Sequence, residues 1–150
     1  MKIMFRSLVV LLAIVILQQP GIAAEKAAHR IVIQVSQNDP ERMNLALANT
    51  SNAIKYYTGK GESVEVEIVA YGPGLNMLRA DTSPVKERIK DLKASDIGKD
   101  VRFSACHNTQ MHMQKAEGHP IPIVPEAQVV PAGVVRLSQL QEQGWSYIRP

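Results

Sequence analysis

The chain has 150 residues, 45% of them hydrophobic, with 17 basic and 14 acidic side chains and one cysteine. This length and composition predict one globular domain with a hydrophobic core. The single cysteine excludes a disulfide within the chain, and the lack of arginine-rich runs or interleaved basic and aromatic residues argues against a nucleic-acid partner.

Residues 1–24 have the features of a secretory signal peptide. Lys2 and Arg6 precede the apolar run at residues 8–17, and small residues follow it. The run is too short to span a bilayer, which takes about 20 residues. We therefore expect cleavage and a secreted, periplasmic chain that makes no membrane contact. Residues 25–150 would then form a single domain with 15 basic and 14 acidic side chains, a formal charge of +1.

Strands and helices are predicted to alternate along residues 25–150. Hydrophobic runs and alternating patterns predict strands at residues 31–35, 64–70, 101–105, 127–130 and 145–148. Capping residues and apolar spacing predict helices that begin near Pro40, Pro84, Asn108 and Ala132. This order predicts an α/β fold with right-handed crossovers and a mostly parallel sheet of about five strands, covered by helices on both faces.

Two finer predictions concern which side chains are buried. In the second strand, Glu65 and Glu67 alternate with apolar residues, which predicts that both lie on a solvated face. In the last helix, Val134, Leu137 and Leu140 are predicted to form the apolar stripe that packs on the sheet.

Cys106 ends the third predicted strand and comes directly before a predicted helix. Open α/β sheets bind ligands at the carboxyl ends of their strands, and a helix N-terminus offers free N–H groups and partial positive charge. Both favour the thiolate, the form that attacks electrophiles and binds metals. We predict that Cys106 is the functional residue. The N–H groups near Asn108 and Thr109, and a charged His107, would lower its pKa.

The loops after the first two strands are predicted to form walls beside Cys106. Asn38 follows the first strand, and Tyr71, Gly72 and Gly74 follow the second. Because the carboxyl ends of parallel strands meet at one edge of a sheet, we expect these four residues to be binding residues. His107, Asn108 and Thr109 complete the predicted binding set.

Two stretches resemble the DsrE/DsrF-like family of sulfur-relay proteins, in particular its small secreted members. They are FSACHNTQ at residues 103–110 and VVPAGVVRLSQLQEQGWSYIRP at residues 129–150. The resemblance implies a flavodoxin-like three-layer sandwich and assembly into a trimer or hexamer. It also implies that Cys106 carries sulfur as a persulfide, without a cofactor. The sulfur would be exchanged with a donor or acceptor protein or with a small thiol.

Two other functions stay open. Sulfur and imidazole ligands suit Cu(I), and a copper site would use Cys106, His107 and Met111, although the chain has no CxxC spacing. Alternatively, the chain is an oligomeric interaction subunit without chemistry, and Cys106 is buried at a contact. No acid and base pair is evident, so hydrolysis is disfavoured, and the sequence does not decide whether the chain is an enzyme.

Overall fold

Five strands form one sheet in the computed structural model, which describes residues 27–150. In chain order, the strands β1 to β5 are His29–Val35, Val64–Ala70, Val101–Cys106, Ala127–Val130 and Ser146–Ile148. The helices α1 to α4 are Pro40–Thr58, Lys86–Ala94, His107–Glu117 and Gly133–Glu142, and 3-10 helices lie at Gly72–Leu78 and Gly98–Asp100. The predicted signal peptide lies outside the described residues. Across residues 27–150, no helix has the length and apolar character needed to cross a membrane.

The strand order is β4-β3-β2-β1-β5, and every neighbouring pair is parallel. The register aligns the carboxyl ends of three strands, because Val35 pairs with Ala70 and Ala70 pairs with Ala105. The loops that follow β1, β2 and β3 therefore leave from one edge of the sheet. The predicted flavodoxin-like α/β sandwich is confirmed.

Alternate residues of the strands face two hydrophobic clusters on opposite sides of the sheet. On one side, α1 and α2 pack against the residues that include Ile33, Ile68 and Phe103. On the other side, Leu137 and Leu140 of α4 pack against Val32, Val69 and Trp145. These are the three layers of the sandwich.

Helix α1 begins where the capping residues predicted it. The Asp39 carboxylate accepts the N–H of Glu41 at 2.9 Å, and Pro40 fits the first turn, where no N–H is required. The buried residues recur at helical spacing and are Met43, Ala46, Leu47, Thr50 and Ile54. Packing of this face fixes the loop at residues 36–39 at the carboxyl end of β1.

Glu67 is fully buried, and its predicted exposure is wrong. The Arg136 guanidinium of α4 donates to both carboxylate oxygens of Glu67 at 2.7 Å, and the Ser104 hydroxyl donates to one of them at 2.7 Å. Charged residues are buried when a partner and hydrogen bonds replace the lost water. The alternating pattern failed here because that partner comes from a helix 69 residues further along the chain.

Val134 is 63% exposed, so its predicted place in the apolar stripe of the last helix is also wrong. Leu137 and Leu140 are buried as predicted. The contact between α4 and the sheet runs through these two leucines, one turn after Val134. The first turn of α4 consequently presents an apolar side chain to the surface.

We expect Arg136→Met to lower the free energy of unfolding by about 3 kcal/mol, because it leaves the Glu67 charge buried without its main partner. Urea denaturation measures the loss. Glu65→Gln is the control, since it breaks an ion pair to Arg102 in which both side chains are about 40% exposed, and it should cost less than about 1 kcal/mol. Equal losses from the two substitutions would contradict this account of Glu67.

Candidate functional site

Cys106 is the last residue of β3 and the N-cap of α3. Its backbone is extended, with φ −73° and ψ 115°, so the chain turns directly from strand into helix. The residue is 5% exposed. The sequence placed this cysteine correctly at the junction between a strand and a helix.

Backbone N–H groups at the starts of two helices lie near the Cys106 sulfur and favour its anionic form. They belong to Asn108 and Thr109 in the first turn of α3 and to Gly133, the first residue of α4. The Asn108 N–H also donates to the Pro131 carbonyl oxygen at 3.3 Å. Burial acts to raise the pKa of the thiol. The Thr109 hydroxyl and the three N–H groups outweigh that effect, so the pKa of Cys106 lies below its ordinary value.

The Thr109 hydroxyl is held in the orientation that suits donation to sulfur. Its oxygen accepts the N–H of Gly72 at 3.0 Å, and the same side chain hydrogen-bonds to Cys106. Because an N–H can only donate, the hydroxyl proton is left for the sulfur. Gly72 has φ 53°, a left-handed conformation that suits glycine. The predicted residues Gly72 and Thr109 are thus joined at the site.

Two other glycines permit close contacts around Cys106. A Cβ atom on Gly133 would lie 2.8 Å from the Cβ atom of Tyr71, so only glycine lets the start of α4 approach the loop after β2. A Cβ atom on Gly74 would lie 2.4 Å from the Val35 carbonyl oxygen. Tyr71 and Gly74, predicted as binding residues, therefore have packing contacts that bring the surrounding segments together.

A cleft of about 570 Å³ adjoins the cysteine. Cys106 does not line it, but Asn108 and Thr109, which help to lower the pKa of the thiol, do. The full lining is Asn38, Gly72, Pro73, Asn76, Arg79, Asn108, Thr109, His112, Met113 and Glu117. The predicted residue Asn38 accepts a hydrogen bond from the side chain of Asn76 at 2.8 Å. Amide groups thus form much of the wall.

Arg79 is the one Lys or Arg among the described residues that line this cleft. Its guanidinium donates to both oxygens of Asp81 at 3.0 and 2.7 Å and to both oxygens of Glu117 at 2.6 and 2.9 Å. Those hydrogen bonds lower the pKa of Asp81 to about 2 and also lower the pKa of Glu117. The cation is therefore fully engaged by carboxylates.

The three residues predicted as an alternative copper site, Cys106, His107 and Met111, differ in their surroundings. His107 is exposed at the first position of α3, and Met111 is 46% exposed and lines a different cavity with His119. Cys106 lines neither that cavity nor the cleft. Within residues 27–150, no three His, Cys, Asp or Glu side chains are grouped so that they could hold a metal ion. His107 is also not among the groups that lower the pKa of Cys106.

Sequence reasoning missed several residues of this site, chiefly Asn76, Arg79, Glu117 and Gly133. The sequence pattern could have indicated Gly133, because this residue begins the helix that follows β4, just as Cys106 directly precedes the helix that follows β3. Arg79 also had a signal, since it is a lone cation after the apolar sequence GLNML. Its two carboxylate partners could not be identified without the fold.

We expect Thr109→Val to raise the pKa of Cys106, because the hydrogen bond from the Thr109 hydroxyl to the thiolate is lost. Thr109→Ser keeps the hydroxyl and should leave the pKa close to that of the unchanged protein. Titration of the ultraviolet absorbance of the thiolate against pH measures the pKa of Cys106 in both variants. The hydrogen-bond account is incorrect if the valine and serine variants titrate at the same pH.

Comparisons with known proteins agree with this architecture. The model of the DsrE/DsrF-like family matches residues 29–150. A solved structure of a protein of unknown function from Methanobacterium thermoautotrophicum is 34% identical, with a TM-score of 0.66 over 81% of this chain and 99% of the other. A comparison with curated proteins gave no significant match. The match over residues 29–150 assigns this chain to the DsrE/DsrF-like family.

Proposed function

We propose that this protein is a sulfur carrier that holds sulfane sulfur as a persulfide on Cys106. The observation that carries the proposal is the group of donors beside the sulfur atom. The Thr109 hydroxyl, whose oxygen accepts the Gly72 N–H at 3.0 Å, and the N–H groups of Thr109 and Gly133 favour its anionic form, and the Asn108 N–H is shared with the Pro131 carbonyl. Donors of this kind favour an anionic sulfur, whether thiolate or persulfide. Membership of a family that includes sulfur-relay proteins supports the same conclusion.

The transfer needs no oxidant or cofactor. The Cys106 thiolate attacks the outer sulfur of a donor persulfide, so that a new S–S bond forms and the donor leaves as a thiolate. An acceptor thiolate then attacks the outer sulfur on Cys106, and the S–S bond to Cys106 breaks. Each step exchanges one S–S bond for another, and Cys106 returns to its starting thiolate.

The cleft supports an uncharged sulfur partner in preference to an anionic one. The only Lys or Arg among its described lining residues, Arg79, is already paired with Asp81 and Glu117. A small thiol that carries carboxylates would find no lysine or arginine free to pair with it there, and His112 is the one other basic side chain among the described lining residues. The amide side chains of Asn38, Asn76 and Asn108 suit neutral groups such as peptide bonds. A polypeptide segment that presents a cysteine therefore fits the cleft better than a small acidic thiol.

We also propose that the chain is secreted to the periplasm and works as a homo-oligomer, a trimer or hexamer. Exposed apolar side chains occur on β4 and on the first turn of α4, at Val129, Val134 and Val135. Helix α3 has no buried residue in the single chain. A second copy that covers these positions would remove apolar surface from water next to Gly133, which binds the cysteine sulfur.

Sulfur loading tests the carrier function. We expect that the protein, treated with inorganic polysulfide and freed of excess reagent, gains the mass of one or more sulfur atoms on Cys106. Cys106→Ser should gain none, and a thiol should release the added sulfur. If the native chain loads no faster than the same chain unfolded in urea, the fold does not assist the chemistry. The interaction subunit would then be the better description.

Sedimentation equilibrium tests the oligomer. We expect a trimer or hexamer, and Val134→Asp with Val135→Asp should weaken association by at least about tenfold, because a charge in an interface loses its water. Leu45→Asp is the matched control, since Leu45 is 47% exposed on α1, away from this region. A monomeric native chain, or equal effects of the two changes, would contradict the proposed interface.

A further inference from the structure

Helix α3 begins beside the Cys106 sulfur but has little contact with the core. None of its eleven residues is buried, and Met113 is only partly buried against the larger hydrophobic cluster. A helix without a buried face gains little from packing. Its first turn is held by hydrogen bonds instead, from the Asn108 N–H to the Pro131 carbonyl at 3.3 Å and from the Gln110 side chain to the Ile121 carbonyl at 2.8 Å, and further contacts hold the rest of the helix.

The 3-10 helix at Gly72–Leu78 contacts α3 at both of its ends. At the first end, the Gly72 N–H donates to the Thr109 hydroxyl at 3.0 Å. At the second end, Arg79 follows the 3-10 helix and donates to both carboxylate oxygens of Glu117, in the last turn of α3. The spans are comparable, about 14 Å from Gly72 to Arg79 and about 12 Å from Thr109 to Glu117. The two helices thus run side by side.

Arg79 is suited to act as a fixed support. It is 6% exposed, Asp81 occupies its other side, and its backbone pairs with Ile123 in an isolated bridge. Arg79 therefore cannot move freely with α3. Glu117 is the only acidic residue of α3. The Arg79–Glu117 ion pair joins this helix to the part of the chain that is anchored in the core.

We propose that Arg79 is a positioning residue for the sulfur site. Through Glu117 it holds α3 so that the hydroxyl and the N–H of Thr109, in the first turn of that helix, stay beside the Cys106 sulfur. The importance of this role rests on the proposed sulfur-carrier function. Its effect on the thiol can be measured whether or not sulfur is transferred.

The charged groups around this contact allow a test that separates positioning from simple charge effects. Asp81, Glu117 and Arg79 form the cluster, and the His119 ring lies 3.4 Å from a Glu117 oxygen. Glu117→Gln removes a negative charge, and charge alone would lower the thiol pKa. Loss of positioning would instead raise the thiol pKa, because the thiolate loses hydrogen bonds. The direction in which the pKa of Cys106 moves therefore distinguishes the two causes.

We expect Glu117→Gln to move the thiolate titration of Cys106 to higher pH and to slow iodoacetamide labelling at pH 7 by about three- to tenfold. Arg79→Gln should act in the same direction. Glu117→Asp keeps the charge and should restore part of the rate. Ile54→Val is the control for lost stability, since Ile54 is buried in the middle of α1 and α1 supplies none of the groups that lower the pKa of Cys106.

An unchanged or lowered titration midpoint in folded Glu117→Gln would overturn the proposal, as would an equal shift in Ile54→Val. Circular dichroism checks that each variant is folded. Glu117→Gln leaves Arg79 paired with Asp81, so it provides the test even if Arg79→Gln does not fold. Polysulfide loading of the unchanged protein tests the carrier function separately. If the protein failed to load, the carrier function would be contradicted, but the thiol titrations would still test the positioning role of Arg79.

Discussion

The convergence of N–H groups from two helices on one sulfur atom is the interaction on which this site depends. Helix α3 lies on the side of the larger hydrophobic cluster and α4 lies on the other side of the sheet. Their first turns can reach the same atom only at the edge where β3 ends. Backbone N–H groups do not titrate, so they favour an anionic sulfur across a wide pH range. A histidine would do so only when protonated.

Each of these helices is also joined to the rest of the domain by an ion pair with one deeply buried member. Arg136 of α4 binds Glu67 of β2, and Glu117 of α3 binds Arg79. Buried ion pairs add little net stability compared with apolar packing, but they permit few alternative geometries. The site needs fixed directions for its hydrogen bonds. Ion pairs at these positions are consistent with that need.

Much of the fold and the centre of the site could be predicted from the sequence. Local patterns located the strands, the α1 cap and Cys106, because capping and alternation depend on neighbouring residues. The resemblance of residues 103–110 and 129–150 to the DsrE/DsrF-like family is confirmed by the family match, and the persulfide chemistry that it implies is a proposal. What could not be predicted depends on partners distant in sequence. Glu67 is an example, because Arg136 lies 69 residues away, and so is Arg79, because Glu117 lies 38 residues away.

The 5% exposure of Cys106 also limits which sulfur compounds can react with it. A disulfide requires the two Cβ atoms to come within about 4 Å of each other. Because Cys106 is buried at the start of α3, we do not expect two folded copies of this chain to bring their cysteines so close. Air oxidation should therefore not crosslink the protein covalently. In the proposed transfer, only a thin and flexible group could reach the thiol, which is thereby shielded from the cysteines of other folded proteins.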